Sequence, residues 1–332
     1  MIGTINRRHF LGGSLGLAAA ATVPGIGLSP ALAAGEPVSW ASLQPGFTVL
    51  ITEFIRHHKL DEKNGFTLAP PQVYTSVPTY YGDFVSGNYD VCIGSWDSFA
   101  VRYLGSVPIR YVCSITTGQM INILSKKDGI TSIDDIRGKT IAAPQSTGTY
   151  RVTLAVLKEF LGIDLEKEAT VQNVTNPAAS VALLRAGSAD AALTWEPNVT
   201  NGLYEDDRLQ ILLNVGDTYT KNTDAKLPYF GVAVRDELLQ RDPGIGAKLN
   251  GVFKDCINGI LGDVDAAVAI VGERTGYKPA VLKEAISSGR LSFAFASMSD
   301  ESGRAIFDTA AEFFVKNGLL PEVPGSGFLV QS

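Results

Sequence analysis

The loop Pro144–Tyr150 has the residue types best suited to bind an anion. Its central run, Ser146, Thr147, Gly148 and Thr149, stands where a predicted strand ends and a strong helical pattern begins. The first N–H groups of a helix have no intrahelical partner, and the helix dipole favours an anion beside them. Each such interaction contributes only about 0.3–1 kcal/mol at an exposed terminus, so several must converge. The alternative is that Ser146 or Thr147 simply caps the helix.

Four further polar loops follow predicted strands. Ligands of open α/β sheets bind beyond the carboxyl ends of the strands, so these loops are candidates for the same site. The two tryptophans among them are equally compatible with packing in the core. The predicted ligand contacts outside the first loop are Gln44, Pro45, Ser95, Trp96, Asp97, Asn176, Trp195, Glu196 and, at the start of a later apolar run, Tyr229.

The sequence offers little for catalysis or metal binding. Beyond the amino-terminal segment its histidines are His57 and His58, whose adjacent positions on one helix point about 100° apart. Cys92 lies between two β-branched apolar residues, a setting that keeps a thiol inert. Beyond the amino-terminal segment, motifs of zinc sites, serine hydrolases and phosphate-binding loops do not occur. We therefore predict a protein without enzymatic activity, cofactor or bound metal.

Short β-branched runs alternate with amphipathic helical patterns, which indicates an α/β fold with a mainly parallel sheet. A helix-rich tail follows the apolar run Tyr229–Val234. The chain is predicted to cross between two lobes near Ser125–Gly129 and Leu227–Gly231. The main predicted strands are Val38–Leu43, Phe66–Leu68, Tyr89–Gly94, Ile109–Ser114, Thr140–Ala143, Val171–Val174, Ala189–Thr194 and Leu209–Asn214. The main predicted helices are Phe47–His58, Tyr80–Val85, Thr149–Leu161, Pro177–Ala186, Ile245–Leu261, Val264–Thr275, Pro279–Ile286 and Ser302–Asn317.

The amino-terminal 33 residues have the pattern of an export signal. Arg7 and Arg8 precede an apolar, glycine-rich run, and Ala31–Ala33 forms an A-x-A cleavage site. The paired arginines fit the twin-arginine variant; a membrane anchor, the alternative, needs about 20 strongly apolar residues. No cysteine follows the cleavage site as a lipid acceptor, so we expect a protein free in the periplasm. An oxidising compartment permits a Cys92–Cys113 bridge, although buried unpaired thiols are the other interpretation.

The net charge of −6 and the absence of a basic run argue against nucleic acid as a partner. Three segments resemble the periplasmic binding proteins of nitrate/sulfonate/taurine-type ABC importers. They are Lys59–Gly65, Lys126–Ala142 and, most specifically, Val181–Pro197.

The resemblance implies a two-lobed periplasmic binding protein fold with two hinge crossings and a ligand cleft between the lobes. Lobe 1 would comprise residues 34–125 and 230–332, and lobe 2 residues 126–229. The expected ligand is an alkyl- or aryl-sulfonate such as taurine, with Glu196 or Asp97 holding the amine and Trp96 enlarging an aromatic wall. An aromatic carboxylate, nitrate or a pyrimidine is the alternative, as are the sulfinate-cleaving and pyrimidine-synthesis enzymes of the same fold. The expected partner is an inner-membrane ABC permease, and the protein is expected to be a monomer.

Overall fold

The computed structural model describes residues 36–331, and the predicted signal peptide over residues 1–33 lies outside them. The strands of the described residues are β1 (Ala41–Leu43), β2 (Gln72–Tyr74), β3 (Val91–Ser95), β4 (Ile109–Thr116), β5 (Ile121–Lys126), β6 (Thr140–Ala143), β7 (Thr170–Asn173), β8 (Ala191–Trp195), β9 (Leu209–Asn214), β10 (Phe230–Arg235) and β11 (Phe293–Ser297). The helices of these residues are α1 (Thr48–His58), α2 (Leu60–Lys63), α3 (Val77–Val85), α4 (Trp96–Leu104), α5 (Gly148–Leu161), α6 (Leu165–Glu168), α7 (Pro177–Ala186), α8 (Asn198–Glu205), α9 (Val215–Thr223), α10 (Asp236–Arg241), α11 (Ile245–Gly262), α12 (Val264–Val271), α13 (Pro279–Ser287) and α14 (Glu301–Lys316).

The described strands form two main sheets and one short parallel pair. The first sheet has the order β11-β4-β10-β3, the second has the order β7-β6-β8-β5-β9, and β1 pairs with β2. The α/β class is confirmed, but the expectation of a mainly parallel sheet is wrong. In the first sheet β10 is antiparallel to β3 and β4, and in the second sheet β5 is antiparallel to β8 and β9. The chain enters the second sheet on β5 and returns to the first sheet on β10. Each of these two strands runs antiparallel to both of its neighbours.

The chain passes between the two sheets twice. Because β4 belongs to the first sheet and β5 to the second, the first passage precedes the predicted crossing at Ser125–Gly129. The return passage, between α9 and β10, overlaps Leu227–Gly231. Thr117 and Pro228 pair as an antiparallel bridge, so the two passages lie side by side. Adjacent passages of this kind absorb hinge motions between domains; the division into two lobes stays a prediction.

The apolar run at the start of the helix-rich tail is the strand β10 rather than part of a helix. It is buried over most of its length between β3 and β4, which explains why its residues are apolar without helical spacing. The helices predicted at Ile245–Leu261 and Ser302–Asn317 are confirmed by α11 and α14. No helix of residues 36–331 is long and apolar enough to cross a membrane.

The position of β10 also decides the state of two cysteines. Ala233 of β10 is paired with Cys92, and Val232 of β10 is paired with Cys113. Two strand spacings separate the cysteine backbones by about 9.5 Å, beyond the roughly 7 Å that a disulfide spans between Cα atoms. Cys92, Cys113 and Cys256 are accordingly free and buried.

We predict that denatured, non-reduced protein takes up three alkylating groups per chain, as counted by mass spectrometry, since all three cysteines are reduced. In the native protein the same reagent at neutral pH should react very slowly. Burial raises the pKa of the Cys92 thiol to about 12 and also raises that of Cys113 and Cys256, and the thiolate is the reactive form. A single alkyl group on the denatured chain would show that a disulfide exists.

Candidate functional site

A partly enclosed cavity lies where β1, β3 and β8 end, between residues of both sheets. It contains about 320 Å³ of atom-free space, some of it continuous with solvent, and about 20 Å³ of it can hold the centre of a water molecule. A water needs roughly 10–15 Å³ by that measure, so the walls must move apart to admit an organic solute. The cavity is lined by Leu43, Val77, Tyr80, Tyr81, Ile93, Ser95, Thr147, Thr149, Trp195, Tyr229 and Phe230.

The amino terminus of α5 enters this cavity. Thr147 is the N-cap, and its hydroxyl accepts from the N–H of Tyr150 at 3.3 Å while donating to the carbonyl of Pro144 at 2.7 Å. The N–H groups of Gly148 and Thr149 have no protein acceptor among the described residues. The capping alternative is therefore correct for Thr147, yet two N–H donors at the positive end of a 14-residue helix remain for a ligand.

The hydroxyl groups in the cavity differ in how far they are already engaged. Ser95 Oγ donates to Ser98 Oγ at 2.8 Å, so its proton is in use. The hydroxyls of Thr149 and Tyr229 are hydrogen-bonded to each other, and one of the two protons is left for a ligand. Burial raises the pKa of Tyr229 well above its ordinary value, so this phenol is neutral and available as a donor.

Aromatic side chains form most of the remaining wall. The Tyr80 hydroxyl donates to the carbonyl of Ile93 at 3.0 Å, and the Tyr81 hydroxyl accepts from the N–H of Ser95 at 3.0 Å. Burial raises the pKa of Tyr81 to about 12 and raises that of Tyr80 well above its ordinary value. Neither phenol brings a negative charge into the cavity. Trp195 completes the wall with its ring 6.4 Å from that of Phe230.

An ion pair joins the two sheets beside the cavity. Arg151 in the first turn of α5 donates through Nε to Asp97 Oδ2 at 2.7 Å and through Nη2 to Ser98 Oγ at 2.8 Å. Asp97, in the first turn of α4, is 1% exposed. The two helix amino termini thus meet with a carboxylate between them. That carboxylate stabilises both positive helix ends and neutralises Arg151.

Gly148 allows this approach. A Cβ atom at Gly148 would lie 2.0 Å from Asp97 Oδ1 and 2.4 Å from Ser95 Oγ. Both distances are far below van der Waals contact, so any side chain there would displace the Asp97 carboxylate and the Ser95 hydroxyl from their present positions.

Other predicted contacts do not line the cavity. Trp96 is 1% exposed and packs against Phe307 and Phe314, with ring centroids 5.2 and 4.8 Å away. It is a core residue and does not enlarge the aromatic wall. Glu196 is fully buried and accepts from the N–H and hydroxyl of Thr200 and from Arg290 Nε at 3.1 Å. Neither Glu196 nor Asp97 therefore has a free carboxylate for a ligand amine.

Four more predicted contacts lie outside the cavity lining. Gln44 Nε2 donates to the carbonyl of Arg274 at 2.7 Å, and Pro45 lies against Gly276. Asn176 caps α7 by accepting from the N–H of Ala179 at 3.0 Å. Ser146 is exposed.

The structure therefore brings together five predicted residues and adds six that sequence reasoning missed. The predicted residues in the lining are Ser95, Thr147, Thr149, Trp195 and Tyr229, and the added ones are Leu43, Val77, Tyr80, Tyr81, Ile93 and Phe230. The one sequence signal for these missed residues was the pair Tyr80 and Tyr81, two adjacent tyrosines that follow Pro78 in a short predicted helix. Within residues 36–331 no group of three or more His, Cys, Asp or Glu side chains is placed to hold a metal ion.

Comparison with known proteins agrees with this geometry. Residues 115–243 match the family model described as "ABC transporter, phosphonate, periplasmic substrate-binding protein", and residues 4–24 match the model of the twin-arginine translocation signal. Residues 115–243 are thus similar to the periplasmic solute-binding proteins of ABC transporters. The resemblance found in the sequence and the export to the periplasm are thereby confirmed. No curated protein matches the sequence.

Solved structures of solute-binding proteins have the same fold. The alkanesulfonate-binding protein SsuA from Xanthomonas axonopodis pv. citri, bound to MOPS, is 19% identical with a TM-score of 0.71, covering 90% of this chain and 100% of that one. The periplasmic aliphatic sulphonate binding protein SsuA from Escherichia coli is 15% identical with a TM-score of 0.68, covering 89% and 92%. At these identities the likeness shows the fold alone.

We predict that Gly148→Ala moves α5 away from α4, because the added methyl would overlap Asp97 Oδ1 and Arg151 holds that carboxylate in place. Small-angle X-ray scattering should record a larger radius of gyration for the variant than for the wild type. Gly82→Ala is the matched control, since Gly82 is an exposed helical glycine with nothing within 4 Å of its Cβ position. Equal radii for all three proteins would mean that α4 and α5 do not depend on this close approach.

Proposed function

We propose that the protein captures a small organic anion, a sulfonate or phosphonate without an amine, and delivers it to the permease of an ABC importer. The observation that carries the proposal is the amino terminus of α5 inside the cavity, with free N–H groups at Gly148 and Thr149. These donors suit a tetrahedral oxyanion with several acceptor oxygens. The family model names phosphonates, and the two SsuA proteins are named as binders of sulfonates.

The donor set supports an anion held without a charged side chain. Two backbone N–H groups and the Thr149–Tyr229 hydroxyl pair, which leaves one proton free, lie at the first turn of α5 beside the cavity. Hydrogen bonds to a charged group contribute about 1.5–3 kcal/mol each. Three of them together approach the roughly 8 kcal/mol of a micromolar complex once apolar contacts are added.

The charges around the cavity disfavour taurine. A ligand ammonium buried in an apolar cavity needs a carboxylate partner. Asp97 is held by Arg151, and Glu196 is held by Arg290 and Thr200. We propose that the body of the solute is apolar, and that the rings of Tyr80, Trp195 and Phe230 favour a flat or aromatic one.

Nitrate fits this proposal poorly, because it has no apolar part that could pack against the aromatic wall of the cavity. A neutral pyrimidine is the second candidate, since the lining contains no charged residue. We also propose a transport role rather than a catalytic one, because no acid, histidine or cysteine faces the cavity. Turnover of a sulfinate by the protein alone would contradict that part.

We further propose that the protein acts as a monomer whose two lobes, residues 34–116 with 230–332 and residues 121–229, close over the solute. The boundary expected at residue 125 is moved ahead of β5, because β5 belongs to the second sheet. Both segments contribute to the lining, and the paired passages at Thr117 and Pro228 support a hinge between them.

A ligand panel tests the proposed solute. We expect benzenesulfonate and 1-propanesulfonate to raise Tm by several degrees at saturating concentration, since a ligand at 100 Kd contributes about 2.7 kcal/mol. Taurine, in which an ammonium replaces the methyl of 1-propanesulfonate, should raise it far less. Differential scanning fluorimetry measures all three.

Benzenesulfonamide is the uncharged control in that panel. A shift equal to that of benzenesulfonate would favour a neutral aromatic solute, and no shift with any sulfonate, phosphonate or carboxylate would reject the anion proposal.

Paired tryptophan variants separate the binding wall from the core. We expect Trp195→Ala to weaken binding of the best sulfonate at least about tenfold in calorimetry, because it removes a ring from the cavity wall, while the ligand-free fold is retained. Trp96→Ala should instead lower the free energy of unfolding by about 3–5 kcal/mol, because Trp96 packs in the core. The reverse result, with stability lost at Trp195 and affinity unchanged, would make Trp195 a core residue.

A further inference from the structure

The first turn of α8 is hydrogen-bonded to Arg290, which lies in the segment leading to a strand of the other sheet. Arg290 lies between α13 and β11, a strand of the first sheet, whereas α8 follows β8 of the second. Arg290 Nε donates to Glu196 Oε1 at 3.1 Å, and its Nη2 donates to Thr200 Oγ1 at 3.0 Å. Glu196 and Thr200 also bond to each other, so Arg290 closes a three-residue network. The network joins the two sheets through a fully buried carboxylate.

Two residues before α13 contact the same helix. The Tyr277 hydroxyl donates to Asn198 Oδ1, and Asn198 Nδ2 donates to the carbonyl of Trp195 at 3.1 Å. Lys278 Nζ lies 5.2 Å from the ring centroid of Tyr204. Both side chains come from the segment that leads to Arg290, so one stretch of the chain contacts α8 along most of its length. Through Asn198, this segment is linked by hydrogen bonds to Trp195, which lines the cavity.

These contacts connect Trp195 to the first sheet without touching a solute. Trp195 and Glu196 are adjacent in sequence, and the carbonyl of Trp195 is fixed by Asn198. If the two sheets move apart, the Arg290–Glu196 and Tyr277–Asn198 bonds must break. Glu196 would then lose its cationic partner, and a buried carboxylate without one is costly. Burial already raises the pKa of Glu196, against the opposing effect of Thr200 and Arg290.

We propose that Arg290 and Tyr277 form a clasp on the amino terminus of α8 that holds the ligand-free protein closed and keeps Trp195 in the cavity wall. Both are positioning residues, since neither lines the cavity and each acts through a residue next to Trp195. The clasp goes beyond solute capture and does not depend on which solute is bound. If the clasp exists, the protein's own side chains determine which fraction of the ligand-free molecules is open.

Acrylamide quenching of tryptophan fluorescence, without any ligand, tests the clasp. Arg290→Gln should increase the quenching constant over that of the wild type, because an open clasp exposes Trp195. Removing a charge-assisted hydrogen-bonding partner shifts such an equilibrium about tenfold. Arg290→Lys, which keeps the positive charge, should restore much of the protection. The other tryptophans, Trp40 and Trp96, are 1% exposed and should contribute little.

Arg185→Gln is the matched control. Arg185 pairs with Glu205 at the other end of α8, and both residues belong to the second-sheet segment. It should leave quenching unchanged. In a Trp195→Phe background the effect of Arg290→Gln should disappear. If Arg290→Gln fails to fold, Tyr277→Phe, which removes one hydroxyl, should give the same direction of change.

The proposal is overturned if the folded Arg290 or Tyr277 variants are quenched like the wild type. It is also overturned if Arg185→Gln raises quenching equally, or if the difference persists without Trp195. None of these outcomes bears on the identity of the solute, so they are distinct from a failure of the ligand panel.

Discussion

The meeting of two helix amino termini beside one cavity is the constraint on which this structure depends. The positive ends of α4 and α5 repel each other unless negative charge lies between them. Asp97 supplies that charge and is paired with Arg151, while Gly148 leaves room for the carboxylate. The result is a junction with balanced charge, next to a cavity whose lining carries no charged residue.

The proposed chemistry of capture follows from that junction. Because Asp97 and Arg151 are engaged with each other, recognition of the proposed solute would fall to backbone N–H groups, a shared hydroxyl proton and aromatic rings. Such a site would attract an anion by aligned dipoles and would offer no partner to an ammonium. On the α8 side, Glu196 is likewise engaged with Arg290. Both carboxylates that the sequence offered for an amine thus serve the contact between the two sheets instead.

Local patterns predicted the fold class and most helices, whereas contacts between distant segments required the structure. The helix at Pro177–Ala186 and the strand at Leu209–Asn214 match their predictions because period and capping are local. The predicted strand at Phe66–Leu68 is only a bridge at Leu68, and β2 begins at Gln72. Trp96, Asp97 and Glu196 looked like ligand contacts because each follows a strand. Their actual partners, such as Phe307, Arg151 and Arg290, lie 54 or more positions away in the chain. Sequence periodicity carries no information about such pairs.

A crystal structure with the most stabilising sulfonate would test the central claim most directly. We predict that the sulfonate oxygens accept hydrogen bonds from the N–H groups of Gly148 and Thr149, with the apolar body against Trp195 and the Asp97–Arg151 pair intact. A sulfonate bound to Arg151 after displacement of Asp97, or bound outside the cavity, would contradict it.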